Sequence, residues 1–214
     1  MKKEKKRFLR AALGLLTAFV LWTLAVCFVD VQPIGPRGTS VGLAALNGRF
    51  HTLTGVHWAL YVLTDWLSLV PILLALMFAV LGLVQWMRGK SLRAVDRSLF
   101  VLGAFYALLL AAYAIFELFP VNYRPVLING VLEASYPSST TMLAIGIMST
   151  SILQLRQRIQ KRPLRGGVLF LLRCLAVLLV LGRLLSGVHW LSDIIGGVLL
   201  SGGLVALYAA MESK

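Results

Sequence analysis

Gly182-Arg183-Leu184-Leu185-Ser186-Gly187-Val188-His189-Trp190-Leu191-Ser192-Asp193-Ile194-Ile195-Gly196-Gly197 sets an arginine, a histidine and an aspartate into otherwise apolar sequence. Ionisable side chains in membrane-like sequence are expensive and are usually kept for function. His189 and Asp193 are four residues apart, a spacing that puts both on one face of a helix. An imidazole steered by a carboxylate, beside a guanidinium, has the parts needed to attack a phosphorus centre. In that reading His189 is the nucleophile, Asp193 fixes its tautomer and Arg183 holds phosphate oxygens. The rival reading is an intramembrane ion network that only ties helices together.

The sequence around this stretch is that of a membrane protein. Of the 214 residues, 59% are hydrophobic and 14% charged, whereas soluble domains run near 45–50% and about 25%. Several apolar runs reach the roughly 20 residues a helix needs to cross a bilayer. The formal charge of +13 does not point to nucleic acid, because the basic residues sit in short tails and loops between apolar runs. Cys27 and Cys174 read as buried in different spans near opposite faces, which argues against a disulfide or a metal site.

Six spans are expected. Residues 1–10 form a basic cytoplasmic tail, and 11–214 form a single transmembrane domain. The first span is 11–29, too long for a signal h-region and without a clear small-x-small cleavage site. A short interfacial helix over 41–50, capped by Ser40, follows a punctuated loop. The run 56–86 contains Asp65 and Pro71, so the second span is placed at 66–87 with an extension or interfacial turn before it. The remaining spans are 99–119, 138–155, 167–185 and 191–211. This arrangement puts 16 of the 21 Lys and Arg on one side and Arg37, Arg49, Arg124 and Arg183 on the other, with Arg173 within the fifth span near its inner end. Such a bias places both termini in the cytoplasm. His189, Asp193, Arg183 and Arg124 then fall at the outer face of a plasma-membrane protein.

Three pieces carry the chemistry: Asn122-Tyr123-Arg124-Pro125, Tyr136-Pro137-Ser138-Ser139-Thr140, and Arg183-x5-His189-x3-Asp193. Together they resemble the type 2 phosphatidic acid phosphatase family, the PAP2 lipid phosphate phosphatases related to vanadium haloperoxidases. Their signature is K-x6-R-P, P-S-G-H and S-R-x5-H-x3-D. The resemblance spans 117–193 and implies an all-α, six-helix bundle. It implies that His189 forms a phosphohistidine, that Asp193 bonds its other ring nitrogen, and that Arg124 and Arg183 bind phosphate. It implies no metal and no cofactor. Ser138, Ser139 and Thr140 open a span, where a helix N-terminus stabilises an anion in its own right; as plain N-caps they would need no ligand.

Two positions depart from the signature. Glu117 stands at the family's lysine and Thr140 at the family's second histidine, which protonates the leaving oxygen; Gly182 replaces the serine. Losing a general acid commonly lowers rate by ~10²–10⁴. Glu117 is a possible substitute acid, with His57 and Asp65 as further options; equally, Glu117 pairs structurally with Arg124 or Arg183. A diphosphate substrate needs less help, since its leaving phosphate monoester has a second pKa of about 6. The expected activity is hydrolysis of a lipid phosphate or a prenyl diphosphate, such as undecaprenyl diphosphate, at the outer leaflet, with the diphosphate favoured over phosphatidic acid. The alternatives are a protein that binds phospholipid without turnover and a lipid phosphotransferase. The expected partners are the lipid substrate and membrane lipids, not nucleic acid; oligomeric state is left open. Gly196, Gly197, Ser201, Gly202 and Gly203 read as a close-packing face, the tryptophans as interfacial belts, and His51 carries no signal.

Overall fold

The computed structural model describes residues 2–213. Met1 and Lys214, assigned above to the cytoplasmic tails, lie outside the described residues. The elements are α1 (Lys2–Phe28), α2 (Ala44–Thr54), α3 (Trp58–Leu67), α4 (Leu69–Gly89), α5 (Arg97–Leu118), α6 (Ser139–Arg158), α7 (Arg162–Leu185) and α8 (Leu191–Glu212). Among the described residues, β-pairing is confined to isolated bridges. The fold is all-α.

Among the described residues, five helical stretches are long and apolar enough to cross a membrane: Lys3–Phe28, Trp58–Gly89, Arg97–Leu118, Arg162–Leu185 and Leu191–Glu212. The remaining expected span, the fourth at 138–155, corresponds to α6. Its 20 residues extend about 30 Å at 1.5 Å per residue, but Ser, Thr, Gln and Arg make it too polar to qualify on composition. Its polarity has a physical reason. α6 is packed on by α4, α5, α7 and α8, so few of its side chains meet lipid. Thr140, Thr141, Thr150, Ser151 and Gln154 are all buried on it.

Other boundaries move for local reasons. The basic tail is no separate segment, because α1 runs unbroken from Lys2. The 56–86 run is two helices meeting at Ser68. Pro71 explains the break, because its ring clashes with the carbonyl four residues earlier, at Leu67. The interfacial helix is 44–54 rather than 41–50, and it starts after Leu43 with no side-chain cap, so Ser40 does not cap it. Cys27 and Cys174, expected to be buried, are exposed.

α1 and α8 run antiparallel. Trp22 Nε1 donates to the Ser192 carbonyl at 3.1 Å, and Gly203 lies against Leu16. α6 and the loop leading into it meet α8 through Gly197 and Gly196, where a Cβ would press on Thr141 and Tyr136 respectively. Apolar packing fills the rest of the bundle: Leu102, Phe105, Met142, Ile147, Leu204 and Tyr208 form one cluster, and Ala144, Met148, Leu172 and Leu179 another between α6 and α7.

The end of the bundle rich in Lys and Arg is closed by a polar network. Buried Gln154 donates to Tyr208 Oη at 2.6 Å and accepts from Arg158 Nε at 3.1 Å. Arg158 pairs with Asp96 at 3.0 Å. Hydrogen bonds from Gln85 and then Arg158 hold the Asp96 carboxyl below its usual value. With that end fixed, the opposite ends of α5, α6, α7 and α8 converge on the stretch quoted first.

The α6–α8 contact gives a direct test of the packing. Gly196→Val should lower the stability of the detergent-solubilised protein by about 1–3 kcal/mol through overpacking against Tyr136. Gly103→Ala, where nothing lies within 4 Å of an added Cβ, should leave it unchanged or slightly higher. Thermal unfolding of the two variants side by side checks this.

Candidate active site

Asp193 lies in the first turn of α8, where a carboxylate is favoured by the helix N-terminus. Its Oδ2 accepts from the Trp190 backbone N–H at 2.9 Å, closing the turn that carries His189. His189 is therefore not on the helix, as its spacing suggested, but in the turn that precedes it. The capping contact brings the ring beside the carboxylate all the same. Nδ1 is 3.5 Å from Asp193 Oδ2, a long contact that lacks hydrogen-bond geometry. Catalytic hydrogen bonds are often long in ligand-free structures and tighten with substrate.

The turn is held from several directions. Gly187 has φ +70° and packs on the Gly55 carbonyl, so a side chain there would collide with backbone. The Ser186 carbonyl accepts from the His57 N–H. Buried Asn47 on α2 bonds both the Ser192 N–H and its hydroxyl, at 3.0 and 2.9 Å. His51 Nε2 reaches the Gly187 carbonyl at 3.1 Å, and its ring packs on Trp190. Trp190 is itself buried, not interfacial, and donates Nε1–H to the Tyr123 carbonyl at 2.7 Å. That bond ties the His189 turn to the loop carrying Arg124.

Arg124 completes the contact. Its Nη1 is 3.0 Å from His189 Nε2. A guanidinium only donates, so Nε2 is the acceptor and the proton of the neutral ring sits on Nδ1, facing Asp193. This is the tautomer a nucleophilic Nε2 requires. Arg124 Nε also lies 2.9 Å from Glu133 Oε2. The two residues face each other across a hairpin turned by Asn129-Gly130, where both φ angles are positive, and Arg124 N–H donates to the Glu133 carbonyl at 3.0 Å. Asn-Gly is a strong hairpin signal, so the sequence contained the clue that sets Glu133 opposite Arg124.

A cavity of about 280 Å³ opens over this group, lined by Glu117, Arg124, Glu133, Ser135, Ser139 and His189 among others. Of the three residues expected at the start of α6, only Ser139 lines it. The Ser138 hydroxyl is buried, accepting from the Thr141 N–H and hydroxyl at 3.4 and 3.2 Å. Thr140 is buried away from the cavity. Glu117 lines the wall, but it is not the arginine partner: Arg124 pairs with Glu133, and Arg183 with Asp65 at 3.0 Å. Arg183 is not on the lining. It is buried behind the cavity, its guanidinium 4.8 Å from the centre of the Tyr61 ring. His57 caps α3, with its ring on the Thr54 carbonyl at 2.8 Å, outside the cavity. Glu133, Tyr113, Asn47 and His51 escaped the sequence reading.

The cavity shares Tyr113 and Ser139 with a second, apolar cavity of about 510 Å³ between α4, α5 and α6, lined also by Ala75, Ala79, Tyr106 and Met142. Among the described residues no three His, Cys, Asp or Glu side chains gather as a metal site.

The PAP2 superfamily model matches residues 104–214, which include His189, Asp193, Arg124 and Arg183. The chain belongs to the PAP2 superfamily. A PAP2 fold is also what the solved structures return: the crystal structure of the first transmembrane PAP2 type phosphatidylglycerolphosphate phosphatase from Bacillus subtilis superposes with a TM-score of 0.60 at 16% identity, covering 94% of each chain. At that identity the likeness is one of fold. No curated protein matches the chain. PAP2 membership, with the apolar helices, makes this an integral membrane protein and a membrane phosphatase in general terms.

Burial first, then the charges of Arg124 and Arg183, push the His189 pKa well below its ordinary value. The sign is that of a group kept neutral: pH must fall further before the ring takes a proton and loses its Nε2 lone pair. Nitrogen NMR of the substrate-free protein should show the neutral Nδ1–H ring persisting well below pH 6.5, the ordinary value for an unperturbed histidine. A half-protonated ring at pH 6.5 would contradict this.

Proposed function

We propose that the protein hydrolyses a lipid phosphate or prenyl diphosphate at the outer leaflet through a phosphohistidine on His189. One observation carries the proposal: a neutral, Asp193-flanked imidazole opens on a polar cavity whose wall continues into an apolar groove. A phosphate on a long apolar chain matches that pair of spaces better than a soluble phosphate ester. The side of the membrane follows from charge. The cavity lies at the end of the bundle opposite the basic tail and loops, and basic loops stay in the cytoplasm. With α6 taken as a span shielded from lipid, the chain crosses six times with both termini inside.

His189 Nε2 attacks phosphorus and the bond to the leaving oxygen breaks. Water then takes the phosphoryl group, releasing inorganic phosphate and restoring the neutral ring. As Nε2 is phosphorylated the ring gains positive charge, which the Asp193 carboxylate facing Nδ1–H stabilises. Arg124 must first leave Nε2, and the incoming phosphate oxygens offer it a stronger, charge-assisted acceptor. Ser139 and the N–H groups at the start of α6 are placed to bind the same oxygens.

The leaving oxygen still needs a proton. Thr140 is remote from the cavity and cannot supply it. Glu133 is already engaged by Arg124 at 2.9 Å. Glu117 lines the cavity and takes part in none of the ion pairs among the described residues, so it is the better substitute acid. A diphosphate, whose leaving group is already stable, depends on it least.

The second reading, binding without turnover, draws on the same two carboxylates, which disfavour an anion, and on the displaced Thr140. Turnover separates the two. The purified protein should hydrolyse a prenyl diphosphate faster than phosphatidic acid. His189→Ala should abolish an acid-labile phosphoprotein adduct and lower the rate by about 10⁴ or more. Glu117→Gln should slow phosphatidic acid hydrolysis by about 10²-fold and the diphosphate less. A preference for phosphatidic acid would overturn the diphosphate assignment, and no turnover of either lipid would favour the binder. Adding an alcohol acceptor and analysing products distinguishes hydrolysis from phosphotransfer.

A further inference from the structure

Arg183 presents an unusual balance. Its side chain is 2% exposed, yet its ion-pair partner, Asp65, is 59% exposed. The contact runs from Nη2 to Asp65 Oδ1 at 3.0 Å. Nε and Nη1 are buried with no hydrogen-bond partner. Two unsatisfied guanidinium donors in a buried site are costly, and in native proteins they call for an explanation.

The surroundings of Arg183 come from α3, outside the matched family region of 104–214. Tyr61 stacks against the guanidinium at 4.8 Å. Thr64, fully buried, sits so close to Gly182 that a Cβ there would meet its methyl group. Asp65 supplies the ion pair. Tyr61, Thr64 and Asp65 are spaced i, i+3 and i+4, so they share one face of α3, and that face is the one packed on Gly182 and Arg183 of α7. Gly182 thus has a reason of its own: it lets α3 come close enough for Asp65 to reach.

We infer that Asp65, with Tyr61 stacked beneath the same guanidinium, is a positioning residue that holds Arg183 behind His189 with Nε and Nη1 left for the phosphate oxygens of the substrate. The inference rests on the proposed phosphatase reading and adds to it a residue that never touches substrate. Substrate entry displaces Arg124 from Nε2, and the phosphate then lies between the two guanidinium groups. Because Asp65 occupies Nη2 from the outer side, Arg183 cannot swing out to solvent, and its ordering precedes substrate binding. Arg183 keeps Nε and Nη1 for the anion and Nη2 for its anchor.

The test uses the full chain in detergent with farnesyl diphosphate as substrate and orthovanadate, a phosphate mimic, as inhibitor. Wild-type turnover of farnesyl diphosphate tests the phosphatase reading by itself; the variants test the clamp. Asp65→Asn should raise KM and the orthovanadate inhibition constant together, by about tenfold, with kcat within about threefold of wild type. Asp65→Glu should recover most of the loss. Tyr61→Leu should raise both constants by a smaller factor. A purely structural role for Asp65 would lower thermal stability without this split between KM and kcat, and that pattern overturns the inference. So does a fall in KM for Asp65→Asn, which would make the carboxylate a competitor of substrate for Arg183. Should Asp65→Asn fail to fold, Tyr61→Phe and Tyr61→Leu carry the test, since the phenyl ring keeps the stacking and the leucine does not. Equal constants for those two variants would likewise overturn it.

Discussion

The carboxylate of Asp193 is the contact on which the site depends. It is fully buried, at the first turn of α8, and it accepts the Trp190 N–H that closes the preceding turn. That one bond sets the backbone path carrying His189, and the same carboxylate faces the ring it positions. A buried ionisable group of this kind persists only where dipoles and hydrogen bonds replace water. Here the helix N-terminus, the Trp190 amide and the nearby arginines do so. Around it the protein spends most of its buried polarity: Asn47, Ser192, Ser138 and Asn122 are all within the packed end of the bundle.

The site is assembled from pieces far apart in sequence, and each is anchored to the next. α2 braces the His189 turn through Asn47 and His51. Trp190 joins that turn to the 119–138 loop, and the Asn129-Gly130 hairpin returns Glu133 to Arg124. α3 holds Arg183. The basic end of the bundle is tied separately, through Gln154, Arg158 and Asp96. The two ends are thus fixed independently, with apolar packing between them, and the His189 end carries most of the unsatisfied side-chain donors among the described residues.

Much of this was legible in sequence because periodicity and charge speak to lipid contact. Apolar runs located the five qualifying helices and their ends, but began the first and second too late, at 11 and 66 instead of Lys3 and Trp58, and the i, i+4 spacing of His189 and Asp193 announced their contact. What sequence could not supply was the partner of each charge. Glu117 was paired on paper with an arginine, whereas the hairpin gives Arg124 to Glu133 and the α3 face gives Arg183 to Asp65. α6 reads as the fourth span by position, but its residues are chosen for contact with four helices, so hydropathy alone does not count it. His51 had no pattern around it, because its role is a single bond to the Gly187 carbonyl across a fold. Ser138 and Thr140 were assigned to phosphate by their place in a motif; the cap geometry turns them inward and leaves Ser139 at the cavity.

The account stands on His189 Nε2 as the atom that meets phosphorus, with the two arginines closing on the same anion. The most direct measurement is a structure of the protein with orthovanadate. It should place vanadium bonded to His189 Nε2, with vanadate oxygens taking donors from both Arg124 and Arg183 and with Arg124 withdrawn from the ring. Vanadate bound elsewhere, or Nε2 still held by Arg124 at saturating inhibitor, would contradict it.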